Sequence, residues 1–551
     1  MGHLMFYLAV VASCLLWSAA CVAAAVRTER PWLRRLLVAA AVFAPPLALL
    51  PWVGLTGVLA FAARLETNWF APTLTAFLAA VVGGLWIVRA GLSRSGSGAG
   101  PVAAAWPAVG LFAMFVMAKA VSFGTLLFID NAVAAEARGL RVEAAQMMQA
   151  NLPPLPSADD DAAPLYLRAF AALDADTSLA AEESPVNKSF TADVRTPEVA
   201  AVLARHAASL DLLRRAADRP TCRFVRDWTR PSISLLLPEV QSLRQGARLL
   251  ALAARREAAD GDTAAALRDI VRLHRMGTQA ASEPILICGL VGQAINTMAL
   301  YTLANVLPAL APADLPLLES PAIADLVGTP FVYQRHFLGE EAFGLATMAD
   351  LADARQDLSI LQLLQTSGEG KTSSPLVGQA VAFLFRCFLL PADLAGYRHI
   401  MSRYQNLATN SSAATPSSFG DTNKRTAEID AEFARRRGII SGMLAPALDS
   451  VLKQQTRSRA LHRAAEVLVA ATRARLAGGS LPESLDALVP GQLAAVPLDP
   501  FTAGKPLLAK RGDGFWTVYS VGADGEDDGG PVPDSAGPVE GNDDQGLRLA
   551  L

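Results

Sequence analysis

Four long uncharged runs dominate the first 130 residues: Leu4 to Val26, Leu36 to Ala63, Thr67 to Val88, and Val102 to Ala118, the last continuing past Lys119 to Ile129. Each reaches the roughly 20 residues that a membrane-spanning helix needs. Pro45, Pro46 and Pro51 remove backbone donors from the second run. A kinked span is expected there, with two short interfacial segments as the alternative. Basic residues set the orientation. The loop after the first run carries Arg27, Arg30, Arg34 and Arg35, the loop after the third carries Arg89 and Arg94, and the opposite side carries Arg64. Both arginine-bearing loops are expected in the cytoplasm, which places everything after Ile129 on the extracytoplasmic side of a bacterial inner membrane. Val11-Ala-Ser-Cys14 and Ala23-Ala-Ala25 have the form of signal-processing sites, but no Lys or Arg precedes the run, as a signal requires. Lys119 is the charge inside the spans, and snorkelling to the outer surface is weighed above a coupling role.

Composition agrees with a lipid bilayer as one partner, since 52% of the chain is hydrophobic. With 48 basic against 51 acidic residues there is no broad positive field, and nucleic acid is not an expected partner. The five cysteines form no CxxC or Cys/His metal pattern. One disulfide among Cys222, Cys288 and Cys387 stays open.

Beyond Asp130 the chain turns to alanine, leucine, arginine and acidic residues, a helix-forming mixture. Helices are predicted at Ala132 to Ala150, Pro164 to Asp174, Thr196 to Ala217, Val240 to Asp260, Asp262 to Met276, Pro284 to Leu307, Phe331 to Ala352, Val377 to Ala408 and Ile429 to Ala477. Asp159 to Asp161 reads as an exposed linker. The clearest unit flanks Gly261: a left-handed glycine closes one helix, Asp262 caps the next, and Leu267, Ile270, Val271 and His274 form its stripe. This Ala-Asp-Gly-Asp turn resembles a tetratricopeptide-type hairpin, although no second copy follows at a fixed period. A divergent array of helical hairpins is expected, binding a protein partner on its concave surface. Pro284 to Pro312 is long enough to span a membrane, but Gln293, Asn296 and Asn305 favour a buried helix.

No HExxH, Gly-x-Ser-x-Gly or phosphate-loop motif is found, so no catalytic residue is assigned. His336 with Glu340 and Glu341 would share a helical face, as an acid/base pair or an ion pair would require. His274 is expected in a core or interface.

The last residues change character again. A stem helix stops at Gly478-Gly479, a short helix follows Pro482 with Leu485 and Leu488 inward, and Pro506 to Lys510 with Phe515 to Val521 form a hairpin across Arg511-Gly-Asp-Gly514. Two acidic, glycine-rich stretches follow, Gly522-Ala-Asp-Gly-Glu-Asp-Asp-Gly-Gly530 and Gly541-Asn-Asp-Asp-Gln-Gly546. Calcium takes six to eight hard oxygen ligands, which such loops supply as carboxylates and inward carbonyls. A solvated acidic tail is the competing reading.

The order of stem helix, Leu-Pro-x-Ser-Leu, Val496-Pro-Leu-Asp-Pro500, Gly-Phe, Tyr-Ser and Gly-Ala-Asp-Gly resembles the globular domain of type II secretion major pseudopilins (pseudopilin G). The resemblance covers roughly the last 95 residues and implies calcium bound by Asp524, Asp543 and Asp544. The family's Gly-Phe-x-x-x-Glu leader and single assembly helix are not found, so pseudopilus assembly is not expected. The expected fold is mainly α: a four-helix transmembrane region (1–130), an extracytoplasmic helical-hairpin domain (131–455) and a small α+β pseudopilin-like domain (456–551). The expected role is non-enzymatic binding or scaffolding in the envelope, linked to secretion by the resemblance. The competing expectation is a membrane sensor or transport component with a ligand-capturing outer domain.

Overall fold

The helical hairpin around Gly261 forms as the sequence predicts. Gly261 takes φ +92° between helices Glu239–Ala259 and Thr263–Ala280, and the Asp262 carboxylate accepts from Ala265 N at 2.9 Å. A computed structural model describes residues 2–41, 135–352, 390–411, 428–432, 439–531 and 542–551, apart from positions 182, 232–234, 236, 430, 503 and 513. The chain forms two compact units, Met1–Ala134 and Ala135–Leu551.

In the first unit, helix α1 spans Gly2–Arg27 and α2 spans residues 31–41. Ser18 Oγ donates to the Ala41 carbonyl at 2.8 Å, and Cys21 and Val22 bury against Ala41. The first predicted span falls within α1. Most of the second, all of the third and fourth, and Lys119 lie outside the described residues.

The second unit is mainly helical with one small sheet. Its helices are α3 (135–151), α4 (Ala163–Asp174), α5 (Pro197–Arg205), α6 (Ala207–Ala217), α7 (Glu239–Ala259), α8 (Thr263–Ala280) and α9 (Leu286–Val306). Then come α10 (Leu315–Leu318), α11 (Pro321–Gly328), α12 (Gln334–Ala352), α13 (Leu390–Ser411) and α14 (Ile439–Leu476). Strands β1 (Leu508–Gly512), β2 (Phe515–Ser520) and β3 (Gln545–Ala550) form an antiparallel sheet in that order.

Helix α9 organises this unit. It is apolar on all sides, and by length and composition alone it could cross a membrane, yet it is packed inside the protein. It contacts α8, α7, α12, α14 and β3. The α8–α9 crossing is close because Gly277 and Gly292 meet: a Cβ on Gly277 would lie 2.8 Å from the Gly292 carbonyl, and one on Gly292 2.5 Å from that of Gly277. Arg475, in the last turn of α14, donates to the Leu307 carbonyl at 2.9 Å and so covers an acceptor where α9 ends.

This arrangement differs from the sequence expectations in several places. In a one-dimensional array each hairpin touches only its neighbours, whereas α9 touches elements more than 150 residues downstream. The core is continuous from Ala162 to Leu549, and includes Leu461, Leu468, Trp516, Val518 and Leu547, so the boundary expected at 455/456 does not interrupt it. The helix predicted over Thr196 to Ala217 breaks at His206, whose backbone leaves helical geometry (φ −101°, ψ 18°) as Nε2 meets Asp176 Oδ2 at 3.0 Å. Asp161 is also more than linker: its Oδ1 accepts from Ala163 N and Arg223 N, both at 3.0 Å, starting α4 and tying in the chain after α6. Among the described residues Cys14, Cys21, Cys222 and Cys288 are free, and Cys387 lies outside them.

A buried ion cluster flanks the start of α9. Arg226 Nε donates to Glu283 Oε2 at 2.8 Å, and its terminal nitrogens reach Glu239, with all three side chains at most 5% exposed. Burial pushes the Glu283 carboxyl up, and Arg226 pulls it back down. Removing one partner strands buried charge, which costs about 3–5 kcal/mol. Arg226→Met is therefore expected to lower unfolding free energy by that amount in denaturant melts, and adding Glu239→Gln and Glu283→Gln should recover part of it.

His462 on α14 is buried, and desolvation first, then neighbouring His274, lowers its pKa to about 4. An unfolded histidine titrates near 6.5, so between pH 6.5 and 4 the unfolded chain takes up a proton that the folded chain refuses. Stability is lost as pH falls through that window. His462→Leu is expected to flatten this acid limb of the melting temperature between pH 7 and pH 4.5.

Candidate metal centre

The acidic loop leaves the end of β2 and returns at the start of β3. Its base is set by Asp499, which lies inside Val496-Pro-Leu-Asp-Pro500 and is 2% exposed. The Asp499 carboxylate accepts from Ser520 Oγ at 2.7 Å, Phe501 N at 2.8 Å and Val521 N at 3.0 Å, holding the exit of β2. Gly522 then takes φ +73°, and a Cβ there would collide with the Asp543 carbonyl, so this close approach needs glycine.

Beyond that crossing the carboxylates sort themselves. Asp524 is exposed and its Oδ1 accepts from Glu526 N at 3.1 Å, a turn of its own. Asp527 Oδ1 accepts from Tyr519 Oη at 3.0 Å and Gly529 N at 2.9 Å. Asp528 Oδ2 accepts from Asp543 N at 3.1 Å, and Asp544 Oδ2 accepts from Gly530 N at 2.7 Å. Asn542 bridges the two stretches: its Nδ2 donates to the Gly530 carbonyl at 3.1 Å and its Oδ1 accepts from Asp544 N at 3.1 Å. Arg457 on α14 stands 3.8 Å from Asp543 Oδ1. Thus Asp543 and Asp544, expected from the sequence, lie close to Asp527 and Asp528, while the Asp524 carboxylate has only its own turn as partner among the described residues.

Asp544 is the focal group. It is 1% exposed, and its Oδ1 is buried with no hydrogen-bond partner among the described residues. Burial first, then Asp527 and Asp528, raise its pKa to about 6. An orphaned carboxylate oxygen beside like charges suits a cation. The donors are all hard oxygens, which fits calcium. Among the described residues no three carboxylates, imidazoles or thiolates stand ready around one point, so backbone carbonyls would have to complete the shell. The solvated-tail reading fails for residues 545–550, which form β3 and pair with β2 along its whole length.

The helical candidates behave differently. His336 Nε2 lies 3.0 Å from the Ala281 carbonyl, packed against Tyr333 and Phe331, and burial lowers its pKa to about 4. Glu340 accepts from Leu286 N at 3.3 Å at the start of α9, and burial raises its pKa to about 7. Glu341 accepts from Gln405 Nε2 at 2.7 Å. The three share a helix without sharing a site. His274 is buried as expected and faces Asp325 at 3.4 Å. Sequence reasoning missed Asp499; its signal was a lone carboxylate between prolines, a place that exposes no helix or strand face of its own. No protein-family model, curated protein or solved structure matches the chain.

Calcium titrated into the full-length protein is expected to raise its melting temperature. Asp544→Asn should abolish that rise, while Asp524→Asn should keep most of it. Equal loss in both variants would return Asp524 to the ligand set.

Proposed function

We propose that the chain is a multi-pass protein of a bacterial inner membrane, with four N-terminal spans and residues beyond about 130 on the extracytoplasmic side. Its outer part is a non-enzymatic binding or scaffolding component that carries a calcium-stabilised, pseudopilin-like C-terminal module and engages a protein partner near a secretion apparatus. The observation that carries the module is Asp544, whose Oδ1 is buried with no hydrogen-bond partner among the described residues, close enough to Asp527 and Asp528 to feel their charge.

Bound calcium would neutralise these carboxylates, and calcium-replete surroundings outside the cytoplasm fit the proposed orientation. The chain's own residues do the rest. Asp499 fixes the base of the loop, Gly522 admits the Asp543 carbonyl, and Asn542 ties the outgoing and returning strands. The membrane part of the proposal rests on the uncharged runs and their flanking arginines, with α1 as the described example.

Reporter fusions test the topology. Alkaline phosphatase joined after Leu551 is expected to be active and a fluorescent protein there dark, with the reverse for fusions in the loop after Arg94. A fluorescent C-terminal fusion would overturn the orientation and, with it, the envelope role.

A further inference from the structure

Helices α7 and α9 and the strap 187–191 line a half-open pocket of about 570 Å³, a size typical of small-molecule sites. Its charge is one-sided. Arg244 and Arg248 project into it from successive turns of α7, and no aspartate or glutamate lines it among the described residues. The other arginines of this helix hold the strap and the chain just after it: Arg255 donates to the Ser189 and Ala192 carbonyls and Arg256 to that of Val194. Arg248 donates to Asn187 Oδ1 at 2.6 Å, a neutral acceptor, and has no carboxylate partner among the described residues. For Arg244 no hydrogen bond or ion pair occurs among the described residues. Burial, and next the neighbouring Arg244, push the Arg248 guanidinium down, as like charges four residues apart on a helix should.

The rest of the lining is mixed: Phe190, Leu290, Met298 and Tyr301 form an apolar patch among polar side chains, and Lys188, the third cation at the rim, is paired with Glu183. Phe190, packed 5.9 Å from the Tyr301 ring, and Met298 both belong to that patch. The floor is rigid, because Gln293 donates to the Gln454 carbonyl at 2.7 Å and accepts from Tyr333 Oη. Two guanidiniums with no carboxylate partner among the described residues, beside an apolar patch, suit a ligand with an anionic head and an apolar body.

We propose that this cavity binds a small amphipathic anion, its carboxylate or phosphate head held by Arg244 and Arg248 and its hydrocarbon body lying against Phe190 and Met298. No residue of the acidic loop lines this pocket among the described residues, and the proposal does not draw on calcium. A free fatty acid and the head of a phosphorylated lipid present the same chemistry.

Full-length protein in nanodiscs of zwitterionic lipid, titrated calorimetrically with decanoate, decyl phosphate, decanol and inorganic phosphate, tests the proposal. Saturable binding of decanoate or decyl phosphate is expected, and the tighter of the two identifies the head group. Decanol and inorganic phosphate should each bind at least about tenfold more weakly, having lost one half of the recognition. Arg244→Gln should weaken the preferred ligand by about tenfold or more while leaving the ligand-free melting temperature unchanged or raised, since it relieves repulsion. Met298→Trp, which fills the apolar side, should also weaken it. No saturable binding by either anion to cooperatively folded protein, decanol binding as tightly as decanoate, or unchanged affinity in folded Arg244→Gln would each overturn the proposal.

Discussion

The second unit depends on burying one helix that has no polar face. Every side of α9 must be covered, so α7, α8, α12, α14 and β3 are drawn around it. The cover is tight where Gly277 and Gly292 let two backbones touch. Polar groups at the ends of α9 are answered from other elements: Glu340 takes the Leu286 amide, and Arg475 takes the Leu307 carbonyl. Helix ends met this way tie distant parts of the sequence to one axis.

The same burial explains where ionisable groups sit. Arg226, Glu239 and Glu283 form a closed cluster beside the first turn of α9, and such clusters constrain geometry more than they add stability. Arg244 and Arg248 lie further along α7, where the strap opens a cavity instead of a packed interface. The contrast lies in their partners: carboxylates in the first case, an amide oxygen and open space in the second.

Local signals were legible in the sequence. Gly261 and Asp262 placed a hairpin, because a left-handed closure and a side-chain cap need only neighbouring residues. The β1–β2 hairpin and the inward Leu485 and Leu488 were readable for the same reason. What depended on distant residues was not. The break at His206 comes from Asp176, the third strand from pairing with β2, and the continuous core from α9, whose lack of polar periodicity gives no clue to its neighbours. For the acidic loop, the resemblance stated from the sequence singled out Asp543 and Asp544, and the fold sets them against the outgoing stretch. Asp527 and Asp528 join them only because Gly530 and Asn542 fold the two stretches onto each other.

The sheet that covers α9 also sets a schedule. Strand β3 ends at Ala550, one residue from the end of the sequence, while the helix it packs against begins at Leu286. During synthesis α9 therefore emerges long before its last covering elements exist. For that interval it is an apolar segment of membrane-spanning length with no finished core to enter. Gln293 and Asn296 are then its main marks of difference from a lipid-facing helix, since a polar amide is costly in hydrocarbon. Gln293 and Asn296, buried in the finished fold, would in that interval weigh against lodging the segment in lipid.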